Sequence, residues 1–106
     1  MKLRYTPEAL FDLAEIKQYI KEELDSPMAA GKIVGGITAS CSLLKKQPRL
    51  GMELSKLIDR ETDYRFLISG NYIVFYRIES NSISVYRIVD ARTDYIRSIG
   101  FRTTNK

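Results

Sequence analysis

Residues 64–90, YRFLISGNYIVFYRIESNSISVYRIVD, carry the clearest structural pattern in this sequence. Three runs within them are rich in aromatic and β-branched side chains, a composition that is typical of strands. These runs are 64–68, 72–79 and 82–89. The connectors between them, Ser69-Gly70-Asn71 and Ser80-Asn81, are short and turn-prone. The stretch therefore predicts an antiparallel meander of three strands.

The part of the chain before this meander has a helical period instead. Thr6-Pro7 and Ser26-Pro27 each place an N-cap residue before a proline that suits the first helical position. Apolar residues then recur at helical spacing and predict one buried face on each of two helices. These residues are Ala9, Leu13, Ile16 and Ile20 in the first helix, and Ala30, Ile33, Val34, Ile37, Cys41 and Leu44 in the second.

The expected fold class follows from the order of these elements. Residues 2–5, KLRY, predict a short opening strand, and residues 52–63, MELSKLIDRETD, predict a charged loop before the meander. We therefore expect an α+β fold in which an N-terminal strand and a two-helix antiparallel hairpin pack on one face of an antiparallel sheet with a C-terminal three-stranded meander. Residues 1–106 are expected to form a single domain.

Strict alternation along the last strand predicts which of its side chains share a face. One face would carry Ile83, Val85, Arg87 and Val89, and the other would carry Ser84, Tyr86 and Ile88. Neither set is purely polar, so the face that the helices leave uncovered is expected to hold aromatic and basic residues together.

The composition excludes several kinds of chemistry. The chain has one cysteine and no histidine, which rules out an intrachain disulfide, a cysteine metal cluster and histidine catalysis. We expect no metal and no cofactor. No apolar run approaches the length of about 20 residues that spans a bilayer, and the N-terminus lacks a secretory h-region. The expectation is a cytoplasmic protein without a membrane partner.

The net charge of +4 is unevenly distributed. Residues 1–44 carry five Lys or Arg against six Asp or Glu, whereas residues 45–106 carry twelve against seven. A basic C-terminal part suits a nucleic acid or an acidic protein as partner, and it is equally consistent with a solvated basic face.

Arginines and tyrosines of the meander are the candidate functional residues. Guanidinium groups that converge on one face would bind phosphate or carboxylate, and the alternative is that each one pairs with a nearby acid. The arginines are Arg65, Arg77, Arg87 and Arg92. Tyr72 and Tyr76 lie in dense apolar runs and are expected in the core, whereas Tyr95 follows the last strand and is a candidate for function.

Small residues of the second helix have structural interpretations. Cys41 lies in the apolar stripe and is expected to be a core residue rather than a nucleophile. Gly31, Gly35 and Gly36 match no phosphate-binding loop, so we expect them to allow close packing against a neighbouring helix.

The sequence resembles the RelE/ParE superfamily of bacterial type II toxins over about residues 3–97. Four segments carry the resemblance: TPEALFDLAEIKQYI from Thr6, the pattern P..A...V..I.....LL...P..G from Pro27 to Gly51, YRFLISGNYIVFYRI from Tyr64, and YRIVDARTDYIR from Tyr86. The resemblance implies a growth-inhibiting toxin that a cognate acidic antitoxin neutralises by wrapping it with a C-terminal segment. It also implies one of two targets, because RelE-like members cut mRNA in the ribosome and ParE-like members act on DNA gyrase.

For a RelE-like nuclease, the resemblance suggests Arg65, Arg92 and Tyr95 as catalytic residues, with the cations stabilising the transition state and Tyr95 assisting proton transfer. Lys56, Arg77 and Arg87 are the predicted residues for binding a partner or target.

Two departures favour the ParE-like interpretation. Nuclease members carry arginine in a pattern like Y-R-L-V-Y, where this chain reads Y-I-V-F-Y from Tyr72. Relatives often end the sheet with V-x-H-x-R, where this chain has Asp90, an acid that would neutralise Arg92. A ribosome-dependent endoribonuclease and a non-toxic antitoxin-binding module remain as alternatives.

Overall fold

The computed structural model describes residues 1–92. In chain order its elements are β1 (Lys2–Tyr5), α1 (Pro7–Glu23), α2 (Pro27–Leu43), β2 (Met52–Glu53), a 3₁₀ turn (Leu54–Lys56), β3 (Arg65–Ser69), β4 (Tyr72–Glu79) and β5 (Ser82–Asp90). The predicted opening strand, two helices and meander are confirmed. The prediction of a loop throughout 52–63 is wrong, because this segment contains β2 and the 3₁₀ turn.

The five strands form one sheet in the order β1-β5-β4-β3-β2. The strands from β2 to β5 pair antiparallel, whereas β1 pairs parallel to β5, with Leu3 opposite Ile83. The sheet is therefore mixed and not purely antiparallel. The reason is that β1 joins the far side of the meander, where Leu3 and Tyr5 contact the core.

Both helices begin as the sequence predicts. The hydroxyl of Thr6 accepts a hydrogen bond from the backbone N–H of Ala9, and the hydroxyl of Ser26 accepts one from Ala29. The predicted apolar faces are buried or partly buried between the helices and the sheet, and Cys41 and Tyr76 are fully buried there. Tyr72, the other tyrosine expected in the core, is only partly buried. Neither helix of the described part is long and apolar enough to cross a membrane.

A β-bulge interrupts the alternation of β5. Phe75 opposes Arg87 and Tyr76 opposes Val85, so Tyr86 is an extra residue in the register. Val85 and Ile88 consequently both lie in the core beneath the helices, although they are three residues apart. The predicted placement of Ile88 on the opposite face from Val85 is wrong, since the bulge shifts the two-residue period by one.

The second face of the sheet has an apolar cluster of its own. Leu54 and Ile58 fold over this face and contact residues of the three strands of the meander. The strand residues are Phe66, Ile73, Phe75 and Val89, all buried. Part of the face that was expected to be uncovered is therefore covered by the segment that was predicted to be a loop. Val89 lies in this cluster rather than beside Val85.

The glycines of α2 do not act as predicted. A Cβ atom added at Gly31, Gly35 or Gly36 would meet no atom within 4 Å. Close helix packing within the described chain therefore does not explain them, because these positions lie on the exposed side of α2.

Candidate functional site

Arg65 and Tyr76 hold the turn that leads into β2. Nη2 of Arg65 donates to the carbonyl oxygens of Gly51 and Arg49, at 2.8 and 3.2 Å. The hydroxyl of Tyr76 donates to the carbonyl of Pro48 at 2.8 Å and accepts from the N–H of Gly51 at 2.9 Å. The turn packs so closely that a Cβ at Gly51 would lie 2.4 Å from the carbonyl oxygen of Phe66. Arg65, a predicted catalytic residue, is thus also part of the structural support of this turn.

Arg65 and Lys56 come together at one surface cavity of about 410 Å³. Besides these two cations, the cavity is lined by Gly51, Met52, Glu53, Leu57 and Phe66. Nη1 of Arg65 lies 3.7 Å from the Glu53 carboxylate. Nε of Arg65 is buried and has no hydrogen-bond partner among residues 1–92. We call this cavity the β2 cavity; its charged rim carries two cations against one acid.

Arg77 lies on the other side of the sheet from the helices, in a cluster with two tyrosines. Its guanidinium carbon is 5.8 Å from the ring centre of Tyr64 and 5.9 Å from that of Tyr86, and the rings are 5.3 Å apart. Nη2 of Arg77 donates to Asp63 at 2.8 Å. Hydrogen bonding to Asp63 raises the pKa of Arg77, so this arginine is charged and already paired.

Glu79 completes this cluster. Its two carboxylate oxygens accept hydrogen bonds from the hydroxyls of Ser84, at 2.6 Å, and Tyr86, at 3.0 Å. These bonds, that of Ser84 first, lower the pKa of Glu79. The acid partly balances the positive charge of Arg77, which makes this surface mixed in charge and not a uniform anion-binding face.

Arg87 points to α1 and pairs with Asp12. Nε of Arg87 donates to Oδ2 of Asp12 at 2.7 Å, and Nη2 donates to Oδ1 at 3.1 Å. Hydrogen bonding to Asp12 raises the pKa of Arg87. Asp12 is not part of the apolar stripe of α1, yet it is only 9% exposed. An apolar periodicity cannot identify such a residue, because its partner lies 75 positions away.

Arg92 forms a two-point contact with Asp90 at the end of β5. Nη2 and Nε of Arg92 donate to the carboxylate at 2.6 and 3.0 Å, and the backbone N–H donates to it at 2.8 Å. Hydrogen bonding from the Arg92 side chain lowers the pKa of Asp90, which therefore stays ionised at neutral pH. Tyr95, the third predicted catalytic residue, lies outside the described residues.

The four arginines are thus paired with four different acids: Glu53, Asp63, Asp12 and Asp90. The structure brings Arg65 and Lys56 together, and it places Arg77, Arg87 and Arg92 in separate contacts. Cys41 is fully buried, and burial raises the pKa of its thiol, so it lacks the accessible thiolate of a nucleophile.

Nearly the whole chain matches one known protein family. The model of one family, described as the ParE toxin of the type II toxin–antitoxin system parDE, matches residues 3–95. A search of curated proteins found none that matches.

Two solved structures share the fold. A chain of the chromosomal ParDE toxin–antitoxin system from P. aeruginosa superposes with a TM-score of 0.72 at 23% identity, covering 87% of this chain and 97% of that one. A chain of the RelBE2 toxin–antitoxin complex from Mycobacterium tuberculosis superposes with a TM-score of 0.56 at 18% identity, covering 84% and 88%. Both structures share the fold of this chain over most of its length, in agreement with the family match over residues 3–95. The protein therefore belongs to the ParE toxin family of type II toxin–antitoxin systems.

Proposed function

We propose that this protein is a cytoplasmic toxin that arrests bacterial growth by binding an essential target rather than by cutting RNA. DNA gyrase is the target that the ParE family suggests, and a cognate acidic antitoxin would neutralise the toxin. Family membership supports the toxin role, and the arrangement of the sheet supports the mode of action.

The observation that carries this proposal is the apolar cover on the second face of the sheet. Ile73 lies in the Y-I-V-F-Y run of β4, in which nuclease members carry arginine, and it is only 4% exposed beneath Leu54 and Ile58. Metal-independent RNA cleavage needs cations positioned around the reacting phosphate. Residues 72–76 of β4 supply no cation, and residues 73–76 are all buried.

The contact between Arg92 and Asp90 supports the same conclusion. A guanidinium that already donates to a carboxylate through two nitrogens has fewer donors for a phosphate, and the ionised acid repels RNA. Arg92 is exposed and Asp90 is partly buried, so water screens the pair, and its effect is on the local electrostatic potential more than on stability.

The test is to induce the chain alone in bacteria and to follow transcripts and DNA topology in the same cells. We expect growth arrest, intact mRNA by primer extension, and altered plasmid supercoiling. Purified protein should also inhibit supercoiling by purified gyrase. Growth arrest without altered plasmid supercoiling in cells and without inhibition of purified gyrase would rule out gyrase as the target. Unimpaired growth would favour a non-toxic module that only holds its antitoxin.

A ribosome-dependent endoribonuclease is the second candidate, favoured by the meeting of Arg65 and Lys56 at the β2 cavity. It predicts discrete cuts in translated frames, which Arg92→Ala should abolish if Arg92 stabilises the transition state. If mRNA is still cut after induction of Arg92→Ala, this residue is not catalytic. If induction of the unsubstituted protein produces no cuts in mRNA, the nuclease hypothesis is rejected.

A further inference from the structure

The β2 cavity combines an exposed cation with exposed apolar side chains that the packing of the sheet does not require. Lys56 is exposed at its rim, and Met52 and Leu57 present apolar side chains that are 59% and 48% exposed. The floor includes Phe66, which is buried in the second apolar cluster. An exposed apolar surface beside two cations is an unusual arrangement for a merely solvated edge.

The donors of Arg65 in this cavity are incompletely used. Nη2 is engaged by the carbonyls of the turn, but Nη1 is 3.7 Å from Glu53, beyond hydrogen-bond length, and Nε has no partner among residues 1–92. Nη1 lies in the cavity with no hydrogen bond to Glu53, so it can donate a charge-assisted hydrogen bond to a partner carboxylate placed between it and Lys56.

We propose that the β2 cavity is a docking site for an acidic, apolar segment of the antitoxin. In this arrangement a partner carboxylate binds between Lys56 and Arg65, and a neighbouring apolar side chain packs against Met52 and Leu57. This inference rests on the proposed neutralisation by an acidic antitoxin and specifies one of its contacts.

The chemistry of the cavity favours a peptide over a nucleic acid. With Glu53 at the rim the net positive charge of the cavity is small, which suits a single carboxylate of a peptide better than the many phosphates of a nucleic acid. The apolar walls match an aliphatic side chain, whereas a phosphate backbone would leave them exposed. Charge complementarity with an acidic segment then favours both the affinity and the rate of association.

The experiment measures the dissociation constant between this chain and the acidic protein encoded beside its reading frame, by calorimetry at two salt concentrations. Lys56→Glu should raise the constant by about tenfold or more, because it places an acid against the partner carboxylate. Lys56→Met keeps the aliphatic stem and removes the charge, so we expect a smaller rise and a weaker salt dependence.

Lys2→Glu is the matched control. Lys2 is an exposed lysine on β1, at the opposite edge of the sheet, so the same change of charge there should leave the constant within about twofold. Melting temperatures of all variants verify that the exposed substitutions leave the fold intact.

The possible outcomes distinguish a failure of the proposed docking site from a failure of the proposed neutralisation by an antitoxin. If the unsubstituted chain binds the antitoxin and Lys56→Glu binds as tightly as Lys2→Glu, the site is refuted and neutralisation stands. If the unsubstituted chain binds no adjacent acidic protein, neutralisation fails and the site fails with it. If a labelled 20-nucleotide RNA binds in a Lys56-dependent way while the antitoxin does not, the cavity is a nucleic-acid site and the proposal is overturned.

Discussion

Oδ2 of Asp12 accepts hydrogen bonds from Nε of Arg87 at 2.7 Å and from the backbone N–H of Ile88 at 2.8 Å. One carboxylate of α1 therefore binds β5 where its register shifts. Thr6 adds a second connection, since its hydroxyl donates to the carbonyl of Tyr86, the extra residue of the bulge, at 2.9 Å. The start of α1 and the bulge of β5 thus stabilise each other.

We predict that Asp12→Ala lowers the free energy of unfolding by about 2–3 kcal/mol. The substitution leaves the backbone N–H of Ile88 buried without its acceptor. It also removes the Asp12 carboxylate from beside the Arg87 guanidinium, which is partly exposed to water. Urea unfolding followed by circular dichroism measures the change.

Glu15→Ala is the control for Asp12→Ala, because Glu15 is exposed on the same helix and should change stability by less than about 0.5 kcal/mol. Adding Arg87→Met to Asp12→Ala should recover part of the loss, since it removes a partly buried charge that no longer has the Asp12 carboxylate beside it. A loss below about 1 kcal/mol for Asp12→Ala would show that this contact does not hold the bulge.

Gly51→Ala and Gly35→Ala should have opposite effects on stability. A Cβ at Gly51 would lie 2.4 Å from the backbone oxygen of Phe66 and 2.7 Å from the hydroxyl of Tyr76, so we expect a loss of about 2 kcal/mol or more. At Gly35 the helix is open around the new methyl group, and alanine should stabilise by about 0.5–1 kcal/mol. Equal effects in thermal unfolding would contradict the packing described for the turn.

Tyr76→Phe should lower the free energy of unfolding by about 1–3 kcal/mol. The hydroxyl is fully buried and bridges the carbonyl of Pro48 and the N–H of Gly51, so its removal leaves both groups of the turn without this partner. Tyr19→Phe is the matched control, because Tyr19 is 56% exposed and should change stability by less than about 0.5 kcal/mol. Indistinguishable denaturation midpoints for the two variants would argue against the bridge.

The hydrogen bonds to Glu79 predict a pH dependence. Because Ser84 and then Tyr86 hold its pKa below the ordinary value of 4.5, ionised Glu79 stabilises the fold above about pH 4.5, and this contribution is lost as the pH falls through the lowered pKa. The melting temperature of the unsubstituted protein should therefore exceed that of Glu79→Gln at pH 6, and the difference should shrink toward pH 3. A difference that stays constant over this range would disprove the linkage.

The local elements of this protein were predictable from residues close together in the chain. The N-caps at Thr6 and Ser26, the apolar stripes of α1 and α2, and the three strands of the meander all follow from periodicity and turn chemistry. The family resemblance drawn from the same segments was confirmed by the match over residues 3–95. Leu54 and Ile58, four residues apart in the supposed loop, offered a helical-type signal for a buried turn that the charge of 52–63 obscured.

The remaining features required residues distant in sequence to meet. The pairing of Asp12 with Arg87 and the support of Gly51 by Tyr76 join residues 75 and 25 positions apart. The bulge at Tyr86 depends on how β5 pairs with β4, and the alternation of side chains within β5 alone does not predict this pairing. Whether an arginine is an open cation or a paired one is likewise a property of packing, because burial and neighbouring charge set its availability. Composition and periodicity therefore identified the fold class and the candidate cations, and the assembled sheet decided which of those cations line a common cavity.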